Sequence, residues 1–151
     1  MNLEVLSTSD INSILSRYDI YSGTYASDTF KFPKNKEKQA FIINTADSAS
    51  PGWHWIALIK TNTKCFVFDS FGLPIYTKPI LHILKHENIV NYQYNSIQVQ
   101  PMTSNNCGYY CIAFILSFLN GITYEQFMSS FFYDVSKNDK ICYEFIGKYI
   151  S

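Results

Sequence analysis

The sequence predicts an α+β domain in which a small, mostly antiparallel sheet packs around one buried central helix. Three observations carry the prediction. The chain has 151 residues, 47% hydrophobic and 16% charged, which suits one core and excludes disorder. Its elements read in the order helix, strands, helix, strand, then helices, a segregated rather than alternating order. And the stretch 107–120 is apolar on nearly every face, as a helix enclosed on all sides must be. The longest apolar run within it, Tyr109 to Leu119, is eleven residues, too short to span a bilayer. One domain, 1–151, is expected.

The elements follow in order. Ser9-Asp10 ahead of Ile11, Ile14 and Leu15 reads as a capped amphipathic helix. Residues 18–38 hold turn formers and Lys31, Lys34, Lys36 and Lys38, and read as a surface loop. Ala40 to Asn44 is strand-like, and 47–52 is a loop. Trp53 to Lys60 and Lys64 to Phe71 read as two strands of a hairpin turning at 61–63. Pro74 to Pro79 reads as a linker, Ile80 to Ile89 as a helix with Ile80, Leu81, Ile83 and Leu84 inward, and Ser96 to Gln100 as an alternating strand. After a polar turn at 101–106 comes the central helix, closed by Gly121 at the position a helix-ending glycine takes. Helices over 124–133 and 139–149 complete the chain.

Composition narrows the function. Twelve basic and twelve acidic residues cancel, which disfavours a dedicated nucleic-acid binder. Cys65, Cys107, Cys111 and Cys142 form no C-x-x-C pair and no disulfide-scaffold spacing, so reduced thiols in an intracellular setting are expected. Met1 to Ser7 has no basic region followed by an apolar stretch, so no signal peptide is expected, and no membrane association. His82 and His86 stand one helical turn apart, but no third ligand accompanies them, so no metal site is expected.

Cys107 opens the central helix, where unpaired N–H groups and the positive end of the helix dipole favour a thiolate. A small buried residue is the alternative reading. His54 lies in a strand among apolar neighbours and needs a polar partner. A two-residue hairpin loop puts Asp69 opposite it. A four-residue loop puts Asp69 diagonal to it on the same face, and a three-residue loop turns Asp69 away unless a bulge intervenes. Asp69 could instead serve the turn. Gln98 and Gln100, just upstream of Cys107, are candidate oxyanion donors or ordinary strand-end polar residues.

The order His54, Asp69, Gln100, Cys107 resembles the adenain family of adenovirus maturation proteases, and more distantly the Ulp-type proteases that remove ubiquitin-like modifiers. Gly23-Thr24-Tyr25, Ile42-Ile43-Asn44-Thr45-Ala46, His54-Trp55, Phe68-Asp69-Ser70-Phe71-Gly72 and Asn105-Asn106-Cys107-Gly108 carry the resemblance, in the same order as in that family. It implies the adenain/Ulp-like fold. It implies Cys107 as nucleophile, His54 as base and then acid, Asp69 as the group orienting His54, and Gln100 as oxyanion donor. Adenain has Glu where Asp69 stands, and the Ulp-type relatives have Asp. Gly52 and Trp53 match the stretch that pairs with extended substrate, and Trp55, also assigned to substrate binding, is expected to pack near the histidine and shield the site. The function implied is a viral endopeptidase that cleaves capsid or other virion precursors after small residues, as a monomer, in the virion and the infected cell. A small DNA virus such as a virophage or polinton-like element would be its source. A Ulp-type protease, an acetyl transferase of the same clan and a catalytically silent virion-assembly module are the alternatives. The resemblance also implies a peptide or DNA activator. Against that, no cysteine lies in 70–106 to anchor a disulfide-linked peptide, and Arg17 is the one arginine in a chain of zero net charge.

Overall fold

The computed structural model describes residues 6–32, 37–45 and 54–149. The elements are α1 (Thr8–Leu15), β1 (Tyr21–Ala26), β2 (Gln39–Asn44), β3 (Trp55–Lys60), β4 (Cys65–Phe68), α2 (Pro74–His86), β5 (Tyr92–Tyr94), α3 (Cys107–Leu119), α4 (Tyr124–Ser129), a 3₁₀ turn (Val135–Lys137) and α5 (Asn138–Tyr149). The strands lie side by side in sequence order as one five-stranded sheet. β3 runs antiparallel to both of its neighbours, β2 and β4, as expected. The outer strands β1 and β5 join parallel, so the sheet is mixed rather than mostly antiparallel, while the α+β class stands.

Helices cover both faces of the sheet. On one face α3 is the centre, with Tyr110, Cys111, Ile112, Phe114 and Ile115 packed on Ile42, Ala57, Ile59 and Phe68. On the other face Ile80 and Leu84 of α2 meet Phe41, Ile43, Ile56, Leu58 and Val67. This two-sided cover explains why β2 and β3 read as unbroken apolar runs. Each large aliphatic side chain enclosed in this way stabilises the fold by about 1.5–3 kcal/mol.

Several elements depart from the sequence expectations for local reasons. The cap of α1 is Ser7, not Ser9. Ser7 accepts from the Asp10 amide while the Asp10 carboxylate accepts from the Ser7 amide, a reciprocal capping box. The expected loop 18–38 contains β1, whose polar sequence YSGTYA hides a half-buried edge strand. The expected linker 74–79 is the start of α2. Pro74 occupies the first turn, where no N–H is needed, and the helix tolerates Pro79 inside it. The expected strand 96–100 is not a strand; the chain pairs earlier, at 92–94. α4 ends at Ser129, four residues short of the expected helix. Gly121 has φ +78°, the left-handed conformation expected after α3.

The candidate active site

The β3–β4 hairpin has the four-residue loop. Lys60 pairs with Cys65 and Ala57 with Phe68, and Thr61 N–H closes the turn on the Lys64 carbonyl at 2.8 Å. His54 just precedes β3 and Asp69 just follows β4, so antiparallel pairing brings both to the same end of the sheet and the same face. His54 Nε2 meets Asp69 Oδ1 at 2.5 Å, with both side chains essentially excluded from solvent.

Asp69 also shapes the chain. Its Oδ1 accepts from the Phe71 amide (3.0 Å) and its Oδ2 from the Leu73 amide (2.9 Å), which turns the backbone into α2. The orienting role and the turn role, which the sequence left as alternatives, are therefore combined in one carboxylate. Asn95 clamps the main chain of Asp69 from β5's end. Its Oδ1 accepts from Asp69 N–H (2.9 Å) and its Nδ2 donates to the Asp69 carbonyl (2.5 Å), continuing the ladder by side chain where the strands part. The Tyr124 hydroxyl donates to Asn95 Oδ1 and the Val67 carbonyl, bracing the same corner.

Two aromatic rings flank the imidazole on adjacent sides, their own centroids 5.9 Å apart. Phe71 stacks on it at 4.6 Å between centroids and Tyr76 of α2 lies at 4.5 Å, tilted by 45°. Trp55 was expected to pack near this ring and shield the site, and it does share one core cluster with Cys107. Alternation along the strand instead sends it to the opposite face, where it is 8% exposed in the α3 core and its indole N–H reaches the Leu6 carbonyl at 3.3 Å.

Cys107 is the first residue of α3 and is 8% exposed. With Nε2 held by Asp69, the ring nitrogen left for the thiol is Nδ1, which is buried without a formed hydrogen bond. Burial is the largest influence on His54 and disfavours its charge. The hydrogen bond that Asp69 accepts from the ring, the nearby Cys107 and the negative charge of the carboxylate outweigh it and push the pKa up to about 9. Gly108 keeps the first turn of α3 narrow: a Cβ there would stand 3.2 Å from Leu6 and 3.5 Å from Trp55.

Gln100 is fully buried. Its Nε2 donates to the Ser104 carbonyl at 2.9 Å, and its Oε1 accepts from the Ser70 hydroxyl at 2.5 Å. Gln98 Nε2 donates to the Gln100 carbonyl at 2.8 Å. Gly52 and Trp53 lie outside the described residues.

Sequence reasoning missed several supports. Phe71, Tyr76, Asn95 and Ser70 are described above. In addition, buried Asp139 of α5 accepts from Tyr110 Oη (2.7 Å) and from Asn106 Nδ2 (3.0 Å), tying the residue before Cys107 to the far end of the chain. Burial, then the bond to Asp139, raises the Tyr110 hydroxyl far above its usual range. Only Ser70 and Phe71 had a signal, their place beside Asp69. The other three thiols lie in the core. Burial pushes Cys65 up to about 11 and Cys111 and Cys142 well above the usual thiol range, which keeps them protonated. His82 and His86 are exposed on α2. Among the described residues no group of three or more His, Cys, Asp or Glu side chains could hold a metal ion, and no helix is long and apolar enough to cross a membrane.

A cysteine opening a helix that packs on a sheet, beside a histidine held by an aspartate at the sheet's end, has the make-up of a thiol–imidazole–carboxylate triad. The chain belongs to the adenovirus endoprotease family, whose model matches residues 21–136. It is 30% identical over 137 residues to the protease of frog adenovirus 1, covering 80% of this chain and 67% of that protein. It is 26% identical over 129 residues to the protease of ovine adenovirus D serotype 7, covering 74% of this chain. The chain spans 64% of that second relative's length. The fold is similar to that of the ASFV pS273R protease, with a TM-score of 0.51 at 18% identity over 76% of this chain and 44% of the other.

Proposed function

We propose that this protein is a cysteine endopeptidase that processes viral precursor proteins. The observation carrying the proposal is buried His54 held by Asp69, with Cys107 among the groups that raise its pKa to about 9, which favours an imidazolium at neutral pH. Family membership supplies the class of activity.

In the proposed cycle the Cys107 thiolate attacks a peptide carbonyl, forming an S–C bond. The Cys107 N–H, at the start of α3, and the Gln100 amide hold the negative oxygen. His54 gives its proton to the leaving nitrogen as the C–N bond breaks. It then takes a proton from water, which attacks the thioester and releases the acid and the thiol. Asp69 keeps the ring oriented throughout. Gly52 and Trp53 are proposed to pair with extended substrate by strand addition. Capsid or other virion precursors cleaved after Gly-Gly or Gly-X are the proposed substrates. The proposed setting is the virion and infected cell of a small DNA virus, with the enzyme acting as a monomer. A peptide or DNA activator belongs to the proposal only by family analogy. The absence of cysteine in 70–106 and the zero net charge argue against it.

The test is a Gly-Gly peptide with a C-terminal electrophile, its adduct mapped by mass spectrometry in wild type, His54→Ala and Cys107→Ala. A single adduct on Cys107 that fades in His54→Ala is expected. Labelling spread over several cysteines, or indifferent to His54, would overturn the proposal. Folded modifier conjugates run beside short Gly-containing peptides distinguish a Ulp-type specificity.

A further inference from the structure

Ser70 joins the two halves of the site. Its neighbour Asp69 holds His54. Its own hydroxyl donates to Gln100 Oε1 at 2.5 Å. Its carbonyl accepts from both the Val99 and Gln100 amides at 2.9 Å, so the main chain bearing Gln100 is hung on Ser70 as well. Ser70 and Gln100 are both fully buried.

A glutamine amide can sit in two orientations with nearly the same shape. Only the one that presents N–H to the reacting carbonyl can stabilise an oxyanion. Two contacts decide between them here. The Ser104 carbonyl can only accept, so it takes Nε2 (2.9 Å), and the Ser70 hydroxyl then meets Oε1. The second Nε2 hydrogen is left with a longer 3.3 Å contact to Ser104 Oγ, one that a stronger acceptor displaces. Removing the Ser70 hydroxyl would leave a buried Oε1 unpaired and weaken the preference for this orientation.

We propose that Ser70 is a positioning residue for oxyanion stabilisation, fixing the Gln100 amide so that its nitrogen faces the reacting centre. The inference rests on the cysteine endopeptidase proposal above. It gives the residue after the orienting acid a role in the opposite half of the site, acting through Gln100 rather than through His54.

The test exploits a difference in chemistry. Peptide cleavage builds an oxyanion. Alkylation of the Cys107 thiolate by iodoacetamide displaces iodide at a saturated carbon and builds none. Ser70→Ala is expected to lower kcat on a fluorogenic Gly-Gly peptide by about 10- to 100-fold, with KM unchanged. The rate and pH profile of Cys107 alkylation should stay at wild-type values, which also reports that the fold and the thiol–imidazole pair are intact. In a Gln100→Ala background, Ser70→Ala should cost little more, because its target is gone. Parallel losses in alkylation and turnover, a fully additive loss in the Gln100→Ala background, or undiminished turnover in Ser70→Ala would each overturn the inference. A wild-type protein that is alkylated at Cys107 yet cleaves no peptide would overturn the endopeptidase proposal itself, and the inference with it.

Discussion

Replacing Asp69 by asparagine separates the charge of the site from its shape. The amide keeps one oxygen for His54 and Phe71 but turns an N–H toward the Leu73 amide, where the carboxylate now accepts at 2.9 Å. That mismatch alone costs about 1–3 kcal/mol at any pH. The lost charge adds a part that depends on pH. In the folded protein His54 is raised from 6.5 to about 9, which corresponds to roughly 3 kcal/mol. A raised histidine stabilises fully below its unfolded pKa, where folded and unfolded chains both carry the proton. The contribution shrinks as pH climbs from 6.5 and is gone above about 9. Without the Asp69 charge, burial is the leading influence on the ring and works against the imidazolium. Urea unfolding of both proteins in reducing buffer, from pH 6 to pH 9.5 at fixed ionic strength, measures the difference while other titrations cancel. Asp69→Asn is expected to be most destabilising at pH 6, with the gap to wild type narrowing by roughly 2–3 kcal/mol by pH 9.5. A gap independent of pH, or one that widens as pH rises, would refute the argument that the carboxylate stabilises a charged imidazole.

Two further perturbations probe the frame. Gly72 has φ +63°, and a Cβ there would stand 2.7 Å from the Ile97 carbonyl carbon and oxygen. Gly72→Ala should therefore lose at least about 2 kcal/mol, read as a lower urea midpoint at unchanged slope. Brief iodoacetamide treatment of the native protein at pH 7.5 should label Cys107 alone, because burial holds the other three thiols protonated; peptide mapping that finds Cys65, Cys111 or Cys142 labelled at a similar rate contradicts this.

Local pattern was enough where the signal was local. The all-round apolar run gave α3, and Cys107 at its start followed from Ser104-Asn105-Asn106 ahead of it. The His54–Asp69 pair was legible as a set of registers, one of which the hairpin adopts. β1 was missed because its burial comes from lying parallel beside β2, whose paired residues stand 18–19 positions along the chain, not from its own polar sequence. The parallel edges of the sheet were unreadable for the same reason. Pro79 argued for a linker, yet α2 is held by the packing of Thr77, Ile80 and Leu84, which overrides a local preference. SIQVQ alternates like a strand, but Asn95 leaves the ladder to bind Asp69, and the chain behind it follows the Ser70 carbonyl instead. Trp55 was assigned by adjacency to His54, and adjacency in a strand means opposite faces. The Asp139–Tyr110–Asn106 support spans 29 and 33 residues with no motif to announce it.

Backbone meets backbone where Gly72 passes Ile97, with no side chain between them, and a step away the Ser70 carbonyl takes two amides of the segment that ends in Gln100. The separation between the segment bearing Asp69 and the segment bearing Gln100 is thus gauged by the thickness of two peptide chains. Van der Waals contact and hydrogen-bond length set that gauge. One hydrogen atom on one glycine is the tolerance to which it is built.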